Sequence, residues 1–273
     1  MAITRRVALK GLLATAVGAV TGTATYGVAY ERHHIGVTHA SLPVSGLPAA
    51  LDGLRVALLT DIHHSRLVGA GDVTKAVQLT LDQKPDLIVL GGDYVTFADR
   101  AFVGPVAELL SPLRAPHGVF AILGNHDDEK DVPAALTRKH FTVLKDQRTR
   151  LMIRGEGLEL AGIRFWTRRP AQIAPVLKNA RDTVMLLAHD PRRLTEAAGL
   201  NIPAVLSGHT HGGQVLLPGV GAVAKAARFP ILEGVGSREN TSIFVSRGLG
   251  TVYVPVRFNC PPEVALVTLR ART

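Results

Sequence analysis

Asp61, His63, Asp93, Asn125, His189, His209 and His211 each stand just past a short apolar run, and all seven can ligate metal. Asp61 and His63 follow Leu54–Leu59, and Asp93 follows Asp86–Leu90 after two glycines. Asn125, with His126 beside it, follows Val119–Leu123. His189 follows Val184–Ala188, and His209 and His211 follow Ala204–Leu206 inside SGHTHGG. Histidines at i and i+2 of an extended segment point to one side, so His209 and His211 are expected to aim at one spot. One first-row metal takes about four to six ligands, so seven donors with a carboxylate able to bridge suit two metals. Mixed imidazole and carboxylate donors favour Mn, Fe or Zn over Ca or Mg. The single cysteine, Cys260, excludes an intramolecular disulfide and any cysteine-based zinc site.

These donors need a scaffold that brings distant loops together. The apolar runs read as strands, and between the early ones lie helical spacings over Asp72–Gln83 and Ala101–Leu113. Alternating strands and helices predict a core with parallel pairing, whose loops converge at the carboxyl ends of the strands. The second half is richer in strands, adding Leu158–Ala161, Ser242–Val245 and Val264–Leu269, with weaker helices over Ala171–Asn179 and Pro191–Ala198. With no repeat and no long linker, residues 54–273 read as one α+β domain with two packed sheets. Residues 31–53, with His33, His34, His39, Pro43 and Pro48, read as a connector with solvated histidines.

The N-terminus reads as an address. TRRVALK at residues 4–10 precedes an uncharged stretch, Gly11–Tyr30. That is the layout of a twin-arginine export signal over residues 1–30 or, uncleaved, of a membrane anchor. As a helix it would reach ~30 Å. The expected place is the periplasm or another extracytoplasmic site, with the Tat machinery and a membrane surface as partners. The net charge of +9 is compatible with anionic substrates or a membrane surface. No run of cations interleaved with aromatics marks a nucleic-acid groove.

The ordered fragments D-x-H, G-D, G-N-H-D, H and G-H-x-H, at Asp61/His63, Gly92/Asp93, Gly124–Asp127, His189 and Gly208–His211, resemble the calcineurin-like metallophosphoesterase superfamily. LPAALDGLRVALLTDIHHS, SGHTHGGQ and RGLGT…PVRFNCPPE narrow the resemblance. They look like a subgroup of Tat-exported or membrane-associated bacterial phosphodiesterases and UDP-2,3-diacylglucosamine hydrolases. The resemblance implies a four-layer α/β/β/α sandwich, two mixed β-sheets flanked by helices. It implies that Asp61, His63 and His211 hold one transition metal, that Asn125, His189 and His209 hold the other, and that Asp93 bridges them. His126 would sit over the substrate as the catalytic histidine. Where many members carry a second Asp that orients this histidine, the chain has Thr96; Asp99 and Asp127 are the candidate substitutes.

The expected function is hydrolysis of phosphodiester or pyrophosphate bonds by a metal-bridging hydroxide, on a phosphorylated small molecule or lipid. Alternatives are a UDP-2,3-diacylglucosamine pyrophosphatase of lipid A synthesis, a nuclease, and a non-catalytic metal-binding envelope protein. The nuclease reading lacks an aromatic stacking platform in the sequence. His64 and Gln214 are candidates for substrate or supporting contacts. Arg66, Arg247 and Arg257 could meet phosphate, although single arginines are more often solvated.

Overall fold

A computed structural model describes residues 21–223 and 229–272 together with Arg6 and Gly18. The twin-arginine motif, Arg6 apart, lies outside the described residues. Two six-stranded mixed sheets form the body. In the first the order is β1 (Gly36–Val44), β14 (Glu263–Ala271), β2 (Arg55–Leu59), β3 (Leu87–Leu90), β4 (Val119–Ala121), β5 (Thr142–Val143). In the second it is β12 (Gly234–Arg238), β13 (Thr241–Val245), β9 (Ala204–Ser207), β8 (Thr183–Leu187), β7 (Glu156–Gly162), β6 (Gln147–Ile153). Strands β2 to β5 are mutually parallel, as are β7, β8, β9 and β13. A small hairpin, β10 (Leu216–Leu217) and β11 (Gly221–Ala222), stands apart.

The apolar runs are continuous because their strands are covered on both faces. In β2, Val56 and Leu58 join a core with Leu160, Leu187 and Leu206 of the second sheet. The alternate residues Ala57 and Leu59 face helices α1 (Ala70–Asp82), α2 (Arg100–Leu110) and α3 (Asp131–Arg138). On the far side, Leu186 and Val205 pack against α4 (Pro170–Leu177) and α5 (Leu194–Gly199). Three cores thus separate four layers, α/β/β/α, as the resemblance implies.

Residues 36–44 differ from their reading as connector. They form β1, paired in parallel with β14 along its whole length. The strand sits at the sheet edge, and His39 is on its exposed side, so the usual apolar signal is diluted. His33 is not simply solvated either, since its Nδ1 lies 2.9 Å from the Asp72 carboxylate. Residues 21–29 are helical. Among the described residues no helix is long and apolar enough to cross a membrane.

Candidate metal centre

The carboxyl ends of the parallel strands in both sheets meet along one edge, where the loops after β2, β3, β4, β8 and β9 converge. Asp61, His63 and His211 place donor atoms within 4.8 Å of one another, and so do Asp93, His189 and His209. The two groups are adjacent. Asp93 Oδ2 lies 3.5 Å from His63 Nε2 of the first group and 3.1 Å from His189 Nε2 of its own. His209 and His211 therefore serve different groups, where an extended segment would have aimed both at one spot. The cause is local: both have positive φ, and His211 opens a 3-10 turn.

Five of these six residues have positive φ: Asp61, His63, Asp93, His209 and His211. Such backbone is costly for a residue with a side chain and clusters where surroundings over-determine it. Here the surroundings are the neighbouring loops. The His209 N–H donates to both Asp61 carboxylate oxygens at 3.0 Å, and the His126 N–H donates to Asp93 Oδ1 at 2.8 Å. Glycine is needed at 124 and 208 because a Cβ there would lie 2.1 Å from Asp93 Oδ1 and 2.3 Å from Asp61 Oδ2.

Several buried donor atoms here lack hydrogen-bond partners. The His189 Nδ1–H donates to the Gly91 carbonyl at 2.7 Å, so Nε2 presents a lone pair toward Asp93, in no hydrogen-bonding orientation. Asn125 Oδ1, on the residue before His126, is buried without a partner. His63 and His211 turn their Nε2 atoms to within 3.2 Å of each other, while His63 Nδ1 meets Thr96 Oγ1 at 3.3 Å. Lone pairs and carboxylates brought this close repel unless a positive charge stands between them, so the donor set fits a pair of borderline cations. Absent a cation, a proton takes the place on His189. Burial pulls its pKa down, but the Asp93 and Asp61 carboxylates outweigh burial and carry it up to about 10. Burial lifts Asp61 to about 6, while the nearby His189 charge works against that rise. Burial would raise Asp93 too, yet His189 and then His63 bring it well below the usual range. Burial holds His63 down to about 4 and His209 down to about 3, which keeps both neutral and ready to ligate.

His126 is buried, with its ring 4.9 Å from that of His63. Neither Asp99 nor Asp127 orients it. Asp99 caps α2 by accepting from the Ala101 N–H. The Phe97 N–H donates to His126 Nδ1 at 3.1 Å, and the Ala98 N–H donates to the His126 carbonyl at 2.8 Å. With Nδ1 used as an acceptor, the proton of the neutral ring sits on Nε2. Burial also lowers the pKa, so His126 offers an uncharged N–H donor. Sequence reasoning missed Phe97 because its part is played by the main chain, at a positive φ.

Asp127 ties two loops together. Its carboxylate accepts from Asp93 N at 2.7 Å and from Tyr94 N and Gly124 N at 2.9 Å. Burial and the Asp93 charge push it up to about 7 against these donors. Asp127→Asn keeps the volume but turns an acceptor oxygen into an NH₂ that faces N–H groups. Urea unfolding should show a loss of about 2–3 kcal/mol, and an unchanged midpoint would refute this stitching role.

His64 and Gln214 join neither group. His64 faces away from His63, with Nδ1 bonded to the Val68 carbonyl and its ring against Phe102. Gln214 spends its amide on the main chain of Val252 and Val254. Arg257 is fully buried rather than solvated. Its guanidinium donates to the carbonyls of Arg247, Gly248, Gly250 and Cys260. It thereby clamps the 247–250 loop that backs Asp61 and His63, since a Cβ at Gly248 would lie 2.5 Å from Asp61 Cβ. Arg247 pairs with Glu263. Aromatics scarce in the sequence are gathered at the rim. Phe97 lies 5.0 Å from the His126 ring and 5.7 Å from Tyr253, and Phe165 lies 5.2 Å from His209. A cavity of about 580 Å³ lined by Asp182, Asn201 and Pro203 sits at the opposite, amino-terminal strand ends and holds none of these ligands.

Comparison with known proteins agrees with this geometry. The family model for calcineurin-like phosphoesterase matches residues 54–213. The uncharacterized metallophosphoesterase YkuE of Bacillus subtilis is 33% identical over 282 residues, covering 98% of each chain. The phosphodiesterase YaeI of Escherichia coli is 33% identical over 225 residues, 79% of this chain and 82% of that one. A transmembrane protein with a metallophosphoesterase domain from Danio rerio is 30% identical over 97% of this chain and 63% of its own. With more than half its length matched by the family model and a relative a third identical from end to end, the chain belongs to the calcineurin-like phosphoesterases and is a metal-dependent hydrolase of phosphoric esters.

Proposed function

We propose that the protein hydrolyses phosphodiester or pyrophosphate bonds at a dinuclear metal centre. Asp61, His63 and His211 would hold one ion and Asn125, His189 and His209 the other, with Asp93 placed to serve both. The observation that carries this reading is the Asp93 carboxylate between two donor groups, with the buried His189 Nε2 beside it left without a hydrogen-bond partner. A bound pair of Mn, Fe or Zn ions supplies an ionised water at neutral pH and offsets phosphoryl charge.

The chain's own residues position the substrate and steady its charge. His126 donates its Nε2–H to a phosphoryl or leaving-group oxygen. Because the Phe97 N–H occupies Nδ1, His126 works as a hydrogen-bond donor and not as an imidazolium acid. His126→Ala should lower kcat by about 10²–10³ with metal content unchanged. His126→Gln, which keeps a donor, should recover part of the loss. Equal losses in the two variants would refute the donor role.

Residues 1–30 serve as a twin-arginine address or anchor, which puts the centre outside the cytoplasm. The deciding assay compares bis-p-nitrophenyl phosphate with p-nitrophenyl phosphate, using manganese-reconstituted protein and a lipid-linked nucleotide in a third arm. Faster turnover of the diester is expected. Preference for the monoester would overturn the diester reading, and no turnover of any substrate would restore the non-catalytic alternative. The apolar rim at Phe97 and Tyr253 favours substrates that carry an apolar group beside the phosphate. Detergent dependence in the third arm reads this out.

A further inference from the structure

Five apolar side chains stand exposed on two segments beside the metal centre. Leu217, Val220 and Val223 come from the β10–β11 hairpin, and Tyr253 and Val254 from the loop that precedes β14. Val220 is 75% exposed and Tyr253 72%. The segments form one surface, because the Leu216 N–H donates to the Phe258 carbonyl and Gln214 bonds Val254 and Val252. Helix 21–29 rests against the same surface. The Arg257 N–H donates to the Gly27 carbonyl, and the Tyr26 ring lies 6.5 Å from that of Phe258. Tyr26 and Tyr30 add two further exposed rings. Isolated apolar residues on a surface are ordinary, but a contiguous group at a hairpin tip is costly unless something covers it.

We propose that this surface docks on a lipid bilayer. Two observations select that occupant. The uncharged run Gly11–Tyr30 contains helix 21–29, which borders the patch, so the described end of the chain's most membrane-compatible segment lies there. The exposed residues are also of the interfacial kind: short aliphatics at a turn, flanked by tyrosines with one apolar and one polar end. Tyr253 reaches the rim of the centre, 6.4 Å from the His126 ring. Docked this way, the mouth of the centre stands at the level of lipid headgroups. The docking does not depend on the metal assignment, because its test reads position and not turnover.

The test uses the full chain with Val220→Cys labelled by an environment-sensitive fluorophore. Labelling is site-specific because Cys260 is buried. With phosphatidylcholine vesicles containing phosphatidylglycerol, the label's emission should shift to the blue. A label at Met152→Cys, exposed on β6, should not shift. A silent Val220 label on protein that floats with the vesicles would overturn the proposal, leaving the N-terminal segment as the sole attachment. A label already blue-shifted without lipid and unmoved by vesicles would also overturn it, because residues 1–20 or a second copy would then cover the patch. As an independent arm, Val220→Asp with Val223→Asp should raise the lipid concentration for half-binding about tenfold or more at unchanged melting temperature. An unchanged concentration would refute docking.

Discussion

Asp93→Asn should lower kcat by on the order of 10⁴, the equivalent of several kcal/mol of lost charge stabilisation, while leaving the fold intact. The asparagine oxygen can still accept the His126 N–H that Asp93 holds at 2.8 Å, so the loop after β4 keeps its anchor. What is lost is the carboxylate charge that lies 3.5 Å from His63 and 3.1 Å from His189. The metal count should fall below two per chain, which elemental analysis reads directly. His189 should also lose most of its raised pKa, because Asp93 is the strongest influence raising it against burial. Imidazole titration by NMR on the metal-free protein would show that. Wild-type turnover with two bound ions would remove the bridging role.

Stripping the metal with a chelator should abolish turnover, and reloading should be steeply pH-dependent. In the metal-free site His189 keeps a proton up to about pH 10, since the carboxylates of Asp93 and Asp61 outweigh its burial. That proton stands where the cation must go, so binding expels it and affinity falls as pH falls. Between about pH 7 and 9 the apparent affinity should change about tenfold per unit. Below the Asp61 value of about 6 a second proton competes and the slope steepens. His63 and His209, held down to about 4 and 3 by burial, add no competition in this range. Calorimetric titration with manganese in buffers of different ionisation heat measures both affinity and protons released. An affinity that stays flat from pH 6.5 to 9, with no proton release, would contradict the account.

The fold was legible wherever strands are buried on both faces. Leu54–Leu59, Asp86–Leu90 and Val184–Ala188 announce themselves as apolar runs, and each lies within a residue of an observed strand. Edge strands hid themselves. β1 carries Thr38, His39 and Ser41 among its apolar residues, and β6 carries Gln147, Arg148 and Arg150, so neither gives an unbroken apolar signal. At the site, six of the seven residues singled out, all but Asn125, fall into two close groups, because Asp and His after buried strands have few structural uses. Their division was not readable from local geometry. Positive φ at His209 and His211 breaks the extended alternation that would have aimed both at one spot, and only the family resemblance placed them in separate groups. The main-chain grip of Phe97 on His126 was invisible for the same reason, since side-chain chemistry does not encode it.

The place of β14 constrains when this enzyme can come alive. Among the described strands it is made after all the others, yet it lies between β1 and β2, which are made first. Until it arrives, β2 has an open edge, and the 247–250 loop behind Asp61 and His63 lacks Glu263, which accepts from the Arg247 N–H. A nascent chain is therefore a poor chelator however many of its donors have emerged. Metal acquisition waits for β14, and deleting that strand should leave an apoprotein unable to charge itself.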